Sequence, residues 1–540
     1  MYSTNEFPET GMHPLAPVEE LAEWLLATAV HLGLGLAIGM IAARLLRSRH
    51  LHWSWSATAL VPLALARPSL GGAGWTLALA ALSASLWGRR WHREDIHAGA
   101  DLEEIAHRRQ APVDLLRSLA RQTASRRRSA REGAGRLKAG ELILGRDEAG
   151  RATSIPFGGP GGGTHTLVVG ATGSGKTVTQ SWLAVRAIEA GMAAIVLDPK
   201  GDRGMRAEIR RAALMDGRAF IEWTPEGPCV YNPYARGSET EIADKLLAGE
   251  RFTEPHYMRQ AQRHLGQVVR ALHRTGAEVS LREIVHHLDP AQLEALARRL
   301  GESEGAATHA YLDSLTPRQH SELAGVRDRL AILAESDVAR WLDPRTGAAQ
   351  RFDLLEAVRA RAVVYFSLES DSRPLLSEML GAAVVQDLQT TVAGLQGRPV
   401  PTLVVIDEFS AIAAEQVVRL FGRARSAGFS LLLGTQELSD LRLPGRERLL
   451  EQVMGNLSVL IAHRQVVPDS AKLIASLAGT RGAWRTSRHS SGAITSTRTR
   501  ASVLDPNLLM SLQRGWAAVI VLADGAGARI AHVFSPQTHT

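Results

Sequence analysis

Apolar residues are distributed along this 540-residue chain in three different ways. From Leu21 to Leu46 they are almost continuous, interrupted mainly by Glu23, His31 and Arg44. A run of that length spans a bilayer as a helix. Trp24 near its start suits the membrane–water interface, and Arg44, Arg47, Arg49 and His50 follow with positive charge. The residues before it carry Glu6, Glu9, Glu19 and Glu20 with Pro8, Pro14 and Pro17, so the basic leader of a signal peptide is missing. A second apolar region, Trp53 to Trp87, is split by Arg67-Pro68 and Gly71-Gly72 and closed by Arg89, Arg90 and Arg93. Each half falls short of the roughly 20 residues of a straight span. Residues 1–88 are therefore expected to anchor the chain in a membrane. A hairpin or re-entrant pair puts the N-terminus outside; a single tilted second span puts it in the cytoplasm. Both leave the remainder of the chain on the cytoplasmic side.

Residues 89–140 are polar and arginine-rich, densest at Arg126-Arg127-Arg128. They read as a basic juxtamembrane linker, either solvated or in contact with lipid headgroups or nucleic acid. The second kind of pattern then begins: short apolar runs between turns. Glu141–Gly145 and Ala152–Phe157 are strands about the turn at Asp147–Gly150. Thr166–Val169, a helical run Val178–Ala190 and Ala193–Leu197 form a strand–helix–strand unit, which requires a parallel sheet. Over 236–345 the pattern changes a third time, to helical spacing (Leu265, Val268, Val269, Leu272) with start signals at Ser280-Leu-Arg-Glu283, Asp289-Pro290 and Thr316-Pro317. This segment reads as an all-α insertion. Strands resume at Ala362–Ser367, Thr402–Ile406, Ser430–Gly434, Leu457–Ala462, Ala517–Leu522 and Ala528–Phe534. Helices are expected at about Leu375–Leu395 and at Ala414–Ala427. Residues 470–504 hold Lys472, Arg481, Arg485, Arg488, Arg498 and Arg500 amid Ser, Thr and Gly, and read as a surface loop or a nucleic-acid-facing segment.

One stretch carries unmistakable chemistry: Gly170-Ala171-Thr172-Gly173-Ser174-Gly175-Lys176-Thr177, between the strand and the helix just named. Its glycines let successive N–H groups turn inward around phosphate oxygens, at the positive end of the helix. Lys176 reaches the β- and γ-phosphates, and the Thr177 hydroxyl is a Mg²⁺ ligand. Thr402-Leu-Val-Val-Ile-Asp407-Glu408 is four apolar residues ending in a carboxylate pair. In this context Asp407 holds Mg²⁺ and Glu408 polarises the attacking water. Gln436, at the tip of the Ser430–Gly434 strand, is placed to sense the γ-phosphate or orient water. Asp198, Lys200 and Asp202, after the strand Ala193–Leu197, are secondary candidates or a plain polar turn. Arg419, Arg423 and Arg425 lie on the helix Ala414–Ala427. ATP and Mg²⁺ are the expected ligands.

Composition adds boundaries. At 45% hydrophobic and 22% charged the chain is globular, and its net charge of +7 is compatible with a polyanionic partner. A single cysteine, Cys229, excludes an intrachain disulfide framework. The 19 histidines show no metal-site spacing, and His286-His287 reads as a helix surface.

The order of these parts resembles the type IV secretion coupling proteins, the TraG/TraD-like members of the FtsK–HerA superfamily of motor ATPases. The resemblance rests on Gly170–Thr177, Ile195-Val-Leu-Asp-Pro-Lys-Gly201, Val404-Val-Ile-Asp-Glu-Phe409 and Gly434-Thr-Gln-Glu-Leu-Ser-Asp-Leu441. It implies an α/β fold: a RecA-like P-loop NTPase domain in two parts, 141–235 and 346–540, with the all-α domain 236–345 between them and a transmembrane region at the N-terminus. It further implies a homo-hexameric ring at the bacterial inner membrane, passing single-stranded DNA or a relaxase–DNA conjugate to a type IV secretion channel by ATP hydrolysis. By motif position Gln436 follows the nucleotide state and Arg425 looks like an arginine finger acting in trans, with Arg423 its competitor. The break at Arg67-Pro68 departs from the usual two-helix anchor, and no cargo-reading C-terminal tail is evident. An FtsK-like pump for double-stranded DNA and an ATP-dependent receptor for protein cargo are the alternatives.

Overall fold

The computed structural model describes residues 16–48, 55–56, 74–91, 140–158, 163–250, 252, 254–343, 345, 350–412, 414–442, 448–488, 494–522 and 527–536. The linker with Arg126–Arg128, the breaks at Arg67-Pro68 and Gly71-Gly72, and the flanking Arg49, His50 and Arg93 lie outside them. The chain divides into two compact units: residues 1–134 with 482–501, and residues 135–481 with 502–540.

In the first unit the leading apolar run is one helix, Ala16–Ser48. Its stretch Leu21–Leu46 is the one described helix long and apolar enough to cross a membrane. The second apolar region contributes a helix over 74–91. The two helices meet at small residues. A methyl on Gly39 would come within 1.8 Å of Ser83 Oγ, and one on Gly35 within 2.8 Å of Leu79 Cβ. Ala43, Ala80 and Ala84 are buried alongside. Close backbone approach through small side chains is how helices pack where the hydrophobic effect gives no drive. His31 Nδ1 pairs with Thr76 Oγ1 at 2.8 Å across the same contact.

The second unit is built on an 11-stranded sheet. Its strands, in chain order, are β1 (Glu141–Asp147), β2 (Ala152–Pro156), β3 (His165–Val169), β4 (Ala193–Asp198) and β5 (Phe220–Trp223). After the short β6 (Cys229–Tyr231) and β7 (Gln350–Phe352) come β8 (Val363–Ser367), β9 (Thr402–Ile406), β10 (Phe429–Thr435) and β11 (Val459–Ala462). β14 (Trp516–Val521) and β15 (Ala528–Val533) end the series, while β12 (Thr480–Arg488) and β13 (Ile494–Ser502) pair only with each other and fall, over 482–501, in the first unit. The order across the large sheet is β2-β1-β15-β14-β11-β3-β10-β9-β4-β8-β5. From β11 to β5 the neighbours are parallel; from β11 through β14, β15 and β1 to β2 they are antiparallel. β3 and β4 are parallel as expected, but β10 and β9 stand between them. The motif-bearing strands are thereby brought side by side.

The central parallel strands are mostly apolar and buried because both faces are covered. Alternate residues divide between two cores: Leu167, Ile195, Val404 and Ile406 face one, and Val168, Val196, Leu403 and Val405 the other. The helix Lys176–Glu189 covers the second face with Trp182, Leu183 and Ile188. Segment 236–345 is helical from Glu239–Leu247 to Pro317–Ala334, apart from short connections, and joins the first core through Leu265, Val268, Val269 and Leu272. Its start signals act as caps: Ser280 accepts from the Glu283 N–H, and Thr316 and Gln319 form a reciprocal box. His287 corrects the surface reading of the His-His pair. It is buried, with Nδ1 bonded to the Glu283 carbonyl at 2.8 Å, while His286 stays exposed. Within 470–504 the described residues are not only loop: they include most of helix Pro468–Leu477 and the strands β12 and β13.

Candidate nucleotide-binding site

β3 ends at Val169 and the chain turns through Gly170–Gly175 before the helix starts at Lys176. Gly173 at φ 76° and Gly175 at φ 114° occupy backbone regions that other residues avoid. Gly170 has no room for a side chain, since a Cβ there would lie 2.6 Å from His463 Cβ and 2.7 Å from Ser174 Oγ. The N-terminus of helix Lys176–Glu189 has no side-chain cap. Its first N–H groups therefore face the loop's cavity, about 330 Å³, which Thr172, Lys176, Thr177, Lys200, Glu408 and Arg514 help to line.

The carboxylate pair arrives from β9. Asp407 and Glu408 are both buried. Glu408 sits at φ 45°, a left-handed conformation that costs a non-glycine residue roughly 1–2 kcal/mol. Glu408 Oε1 accepts from three donors: Lys176 Nζ in a short contact, Lys200 Nζ at 2.9 Å and Gln436 Nε2 at 3.0 Å. Gln436 Oε1 in turn accepts from Thr172 Oγ1 at 3.2 Å. Because β10 lies between β3 and β9, its tip sets Gln436 between loop and carboxylate. The same strand must leave room at Gly434, where a Cβ would lie 2.4 Å from Gln180 Nε2 and 2.6 Å from Asp407 Oδ1.

Electrostatics separates the two acids. Burial by itself would raise the Glu408 carboxyl, but the charge and hydrogen bond of Lys176, then those of Lys200, hold it below its usual range. Asp407 is raised, by burial above all and then by Glu408 and Asp198, against the pull of Lys176. Lys200 is raised: its partial burial opposes this, but the hydrogen bond and charge of Glu408 outweigh it.

Among the sequence-derived candidates, Lys176, Thr177, Asp202 and Glu408 line one cavity, with Asp407 3.8 Å from Lys176 and Gln436 bonded to Glu408. Lys200 joins them through Glu408. Asp198 does not: it is fully buried and closes the turn after β4, accepting from the N–H groups of Lys200 and Gly201 at 3.0 Å and from Tyr365 OH at 2.6 Å. Asp202 caps helix Arg203–Met215 through the N–H groups of Gly204 and Met205. Arg425 is elsewhere, in a 3-10 turn before β10, donating to the Asn456 carbonyl at 3.1 Å and Ser458 Oγ at 3.3 Å. Sequence reasoning missed Arg514 as a lining residue; nothing in its local sequence marks it.

Asp407 Oδ1 is buried without a hydrogen-bond partner, 3.8 Å from Lys176 Nζ. An orphaned carboxylate oxygen beside a phosphate cradle and a threonine hydroxyl is an all-oxygen donor set, which fits a hard divalent cation sharing its coordination with phosphates. Among the described residues no cluster of three or more His, Cys, Asp or Glu side chains offers an all-protein metal cage.

Comparison with known proteins gives a consistent result. The family described as the type IV secretion-system coupling protein DNA-binding domain matches residues 151–514. A solved structure of the bacterial conjugative coupling protein TrwBdeltaN70 has 18% identity and a TM-score of 0.56, covering 74% of this chain and 89% of its own. TrwB in complex with ADP and Mg²⁺ aligns at 18% identity and TM-score 0.53, covering 69% and 85%. VirB4 of Thermoanaerobacter pseudethanolicus aligns at 15% identity and TM-score 0.51, covering 75% and 99%. No curated protein sequence matches the chain.

Proposed function

The chain belongs to the type IV secretion-system coupling protein family, and from that premise we propose that it is a membrane-anchored motor that hydrolyses ATP to move DNA into a secretion channel. The observation that carries this reading is the convergence of Lys176, Lys200 and Gln436 on one oxygen of Glu408, beside the glycine cradle. The fold it shares with TrwB, solved with ADP and Mg²⁺ and with a non-hydrolysable ATP analogue, supports ATP and Mg²⁺ as the ligands.

In this reading the Gly170–Gly175 amides and Lys176 bind the phosphates, and Thr177 and Asp407 would hold Mg²⁺. Bound there, the ion would neutralise charge on the β- and γ-phosphate oxygens. Phosphates compete for the Lys176 ammonium. Released from it, Glu408 accepts a proton-bearing bond from water, and such general-base help contributes roughly 10²–10⁴-fold in rate. Gln436, bonded to Glu408 and Thr172, registers whether that exchange has happened. We assign residues 1–88 to the membrane anchor, 89–140 to a basic linker, 141–235 and 346–540 to the ATPase, and 236–345 to a cytoplasmic substrate-receiving domain. The assembly is a homo-hexamer in the bacterial inner membrane, its cargo a relaxase–DNA conjugate.

Lys and Arg contacts to phosphate give salt-sensitive, sequence-independent binding. The test is ATP turnover by the full chain in detergent, with Glu408→Gln as the blank, against single- and double-stranded DNA at fixed low salt. Stimulation by single strands supports the coupling reading. Preference for duplex replaces it with an FtsK-like pump, and turnover indifferent to either with a receptor for protein cargo. Unchanged turnover in a folded Glu408→Gln protein sinks the catalytic assignment.

A further inference from the structure

His463 stands directly behind the phosphate loop and has no part in the scheme above. It follows β11 and is fully buried. Its Nδ1 lies 3.0 Å from the Trp516 carbonyl oxygen. A carbonyl only accepts, so Nδ1 carries the proton and Nε2 is left as an acceptor. Nε2 takes the hydroxyl of Thr179, on the first turns of the P-loop helix, at 2.8 Å. Two backbone bonds run beside this relay. The Ala171 N–H donates to the Arg464 carbonyl at 3.0 Å, and the Gly515 N–H donates to the Ser174 carbonyl at 3.1 Å. The fit is tight, since a Cβ on Gly175 would meet Gly515 N at 3.3 Å and His463 Cε1 at 3.6 Å. One imidazole thus links the phosphate-binding helix to the turn at 514–516, and that turn carries the exposed Arg514, which lines the cavity.

We infer that His463 is a positioning residue for nucleotide binding: through Thr179 and the Trp516 carbonyl it ties the phosphate loop to the 514–516 turn, which presents Arg514 to the triphosphate as a cationic contact from the same subunit. The inference rests on the ATPase reading and deepens it. Lys176 then has a companion that binds charge without touching the reacting water. An arginine on a well-fixed turn suits oxygen anions because its donors are held in a planar fork.

The experiment measures KM and kcat for ATP, and Kd for a fluorescent ATP analogue, on the full chain in detergent. Melting temperature is followed in parallel. Loss of the two buried hydrogen bonds of the imidazole beside the loop is expected to raise KM and Kd about tenfold or more in His463→Leu, with kcat within about threefold of the parent because the water-activating group is untouched. His463→Gln, which keeps one donor and one acceptor, is expected to recover most of the affinity. Combining His463→Leu with Thr179→Val should add little, since both remove the same bond. Arg514→Ala is expected to raise KM with an unchanged melting temperature. Should His463→Leu not fold, Thr179→Val must raise KM alone. Parental KM in folded His463→Leu or Thr179→Val overturns the positioning role, and parental KM in Arg514→Ala overturns the contact. A parent chain that binds no ATP overturns instead the functional reading on which both rest.

Discussion

At the scale of single residues, the site works by placing like and unlike charges in a dry pocket. Glu408 keeps its charge despite burial because two lysines compensate it. Burial likewise controls two histidines, His165 at the start of the loop strand β3 and His463 just after the neighbouring β11. Burial, reinforced by the charge of Lys176, pushes His463 down to about 4 even though its bond to Trp516 opposes this. His165 is lowered to about 3 by burial and then by Arg425. Its Nδ1 accepts from the Leu431 N–H at 3.3 Å, and its Nε2 is buried without a partner. Both rings are therefore neutral in the native chain, whereas in the unfolded chain they take protons near pH 6.5. Between that value and the native ones the unfolded state binds more protons, so stability declines as pH falls. At pH 5 the expected loss is about 2 kcal/mol per histidine relative to neutral pH. His463→Gln should flatten this dependence by its own share, measured as the shift of the urea midpoint between pH 7 and pH 5. An equally steep dependence in that variant would refute the assignment.

At the scale of elements, the helical insertion is joined to the sheet domain by a buried ion pair that no periodicity announces. Lys245, on helix Glu239–Leu247, donates to Asp387 Oδ1 at 2.6 Å and to the Pro233 and Arg236 carbonyls at 2.9 and 2.6 Å. Asp387, on helix Pro374–Gly394, also accepts from Tyr231 OH at 2.7 Å. The Lys245 side chain is 1% exposed. Removing one partner strands the other, at a cost of about 3–5 kcal/mol. Lys245→Met should therefore lower the denaturation midpoint well beyond Lys472→Met, which breaks an exposed pair worth under about 1 kcal/mol. Equal midpoints for the two variants would show that the pair is not the joint. The elements that were legible in the sequence were those whose local pattern decides their conformation. β9 and β10 are predominantly apolar and bounded by turns, and the P-loop strand and helix are fixed by glycine and spacing. β5 was hidden because Phe-Ile-Glu-Trp shows neither alternation nor a clean apolar run. Three-residue β6 and β7 pair across more than a hundred residues, which only the closed fold reveals. The β12–β13 hairpin looked like a loop because Ser, Thr, Gly and Arg dominate it. The grouping of Lys176, Glu408 and Gln436 at a candidate site was legible in the motifs, whereas Asp198 closes a turn, and the placement of Lys200 and Arg514 beside the cavity depends on which strands become neighbours.

At the scale of the whole molecule, the geometry of one strand bears on assembly. Gln436 follows the carboxyl end of β10, whereas Arg425 precedes its amino end. Seven residues of strand at about 3.3 Å each separate the two by roughly 20 Å, beyond the span of an arginine side chain. Arg425 is thus remote from its own subunit's Glu408, yet it is exposed at the amino end of β10, and Arg419 and Arg423 on the preceding helix are exposed too. A group so placed reaches a nucleotide only across a head-to-tail interface, the kind that closes into a ring. A finger supplied in this way is worth roughly 10³–10⁵ in rate. Arg425→Ala and Glu408→Gln are accordingly each expected to abolish turnover while keeping nucleotide affinity. Mixed in equal amounts before assembly, the two inactive chains should recover activity, because about one interface in four then pairs an intact Glu408 with an intact Arg425 of its neighbour. Turnover of the mixture, followed with the ratio of the two chains varied, is the measurement. A mixture as inactive as its components would mean that Arg425 acts within its own subunit or merely holds the Asn456 carbonyl. Parental activity in Arg425→Ala, with loss in Arg423→Ala, would move the finger two residues back along the helix.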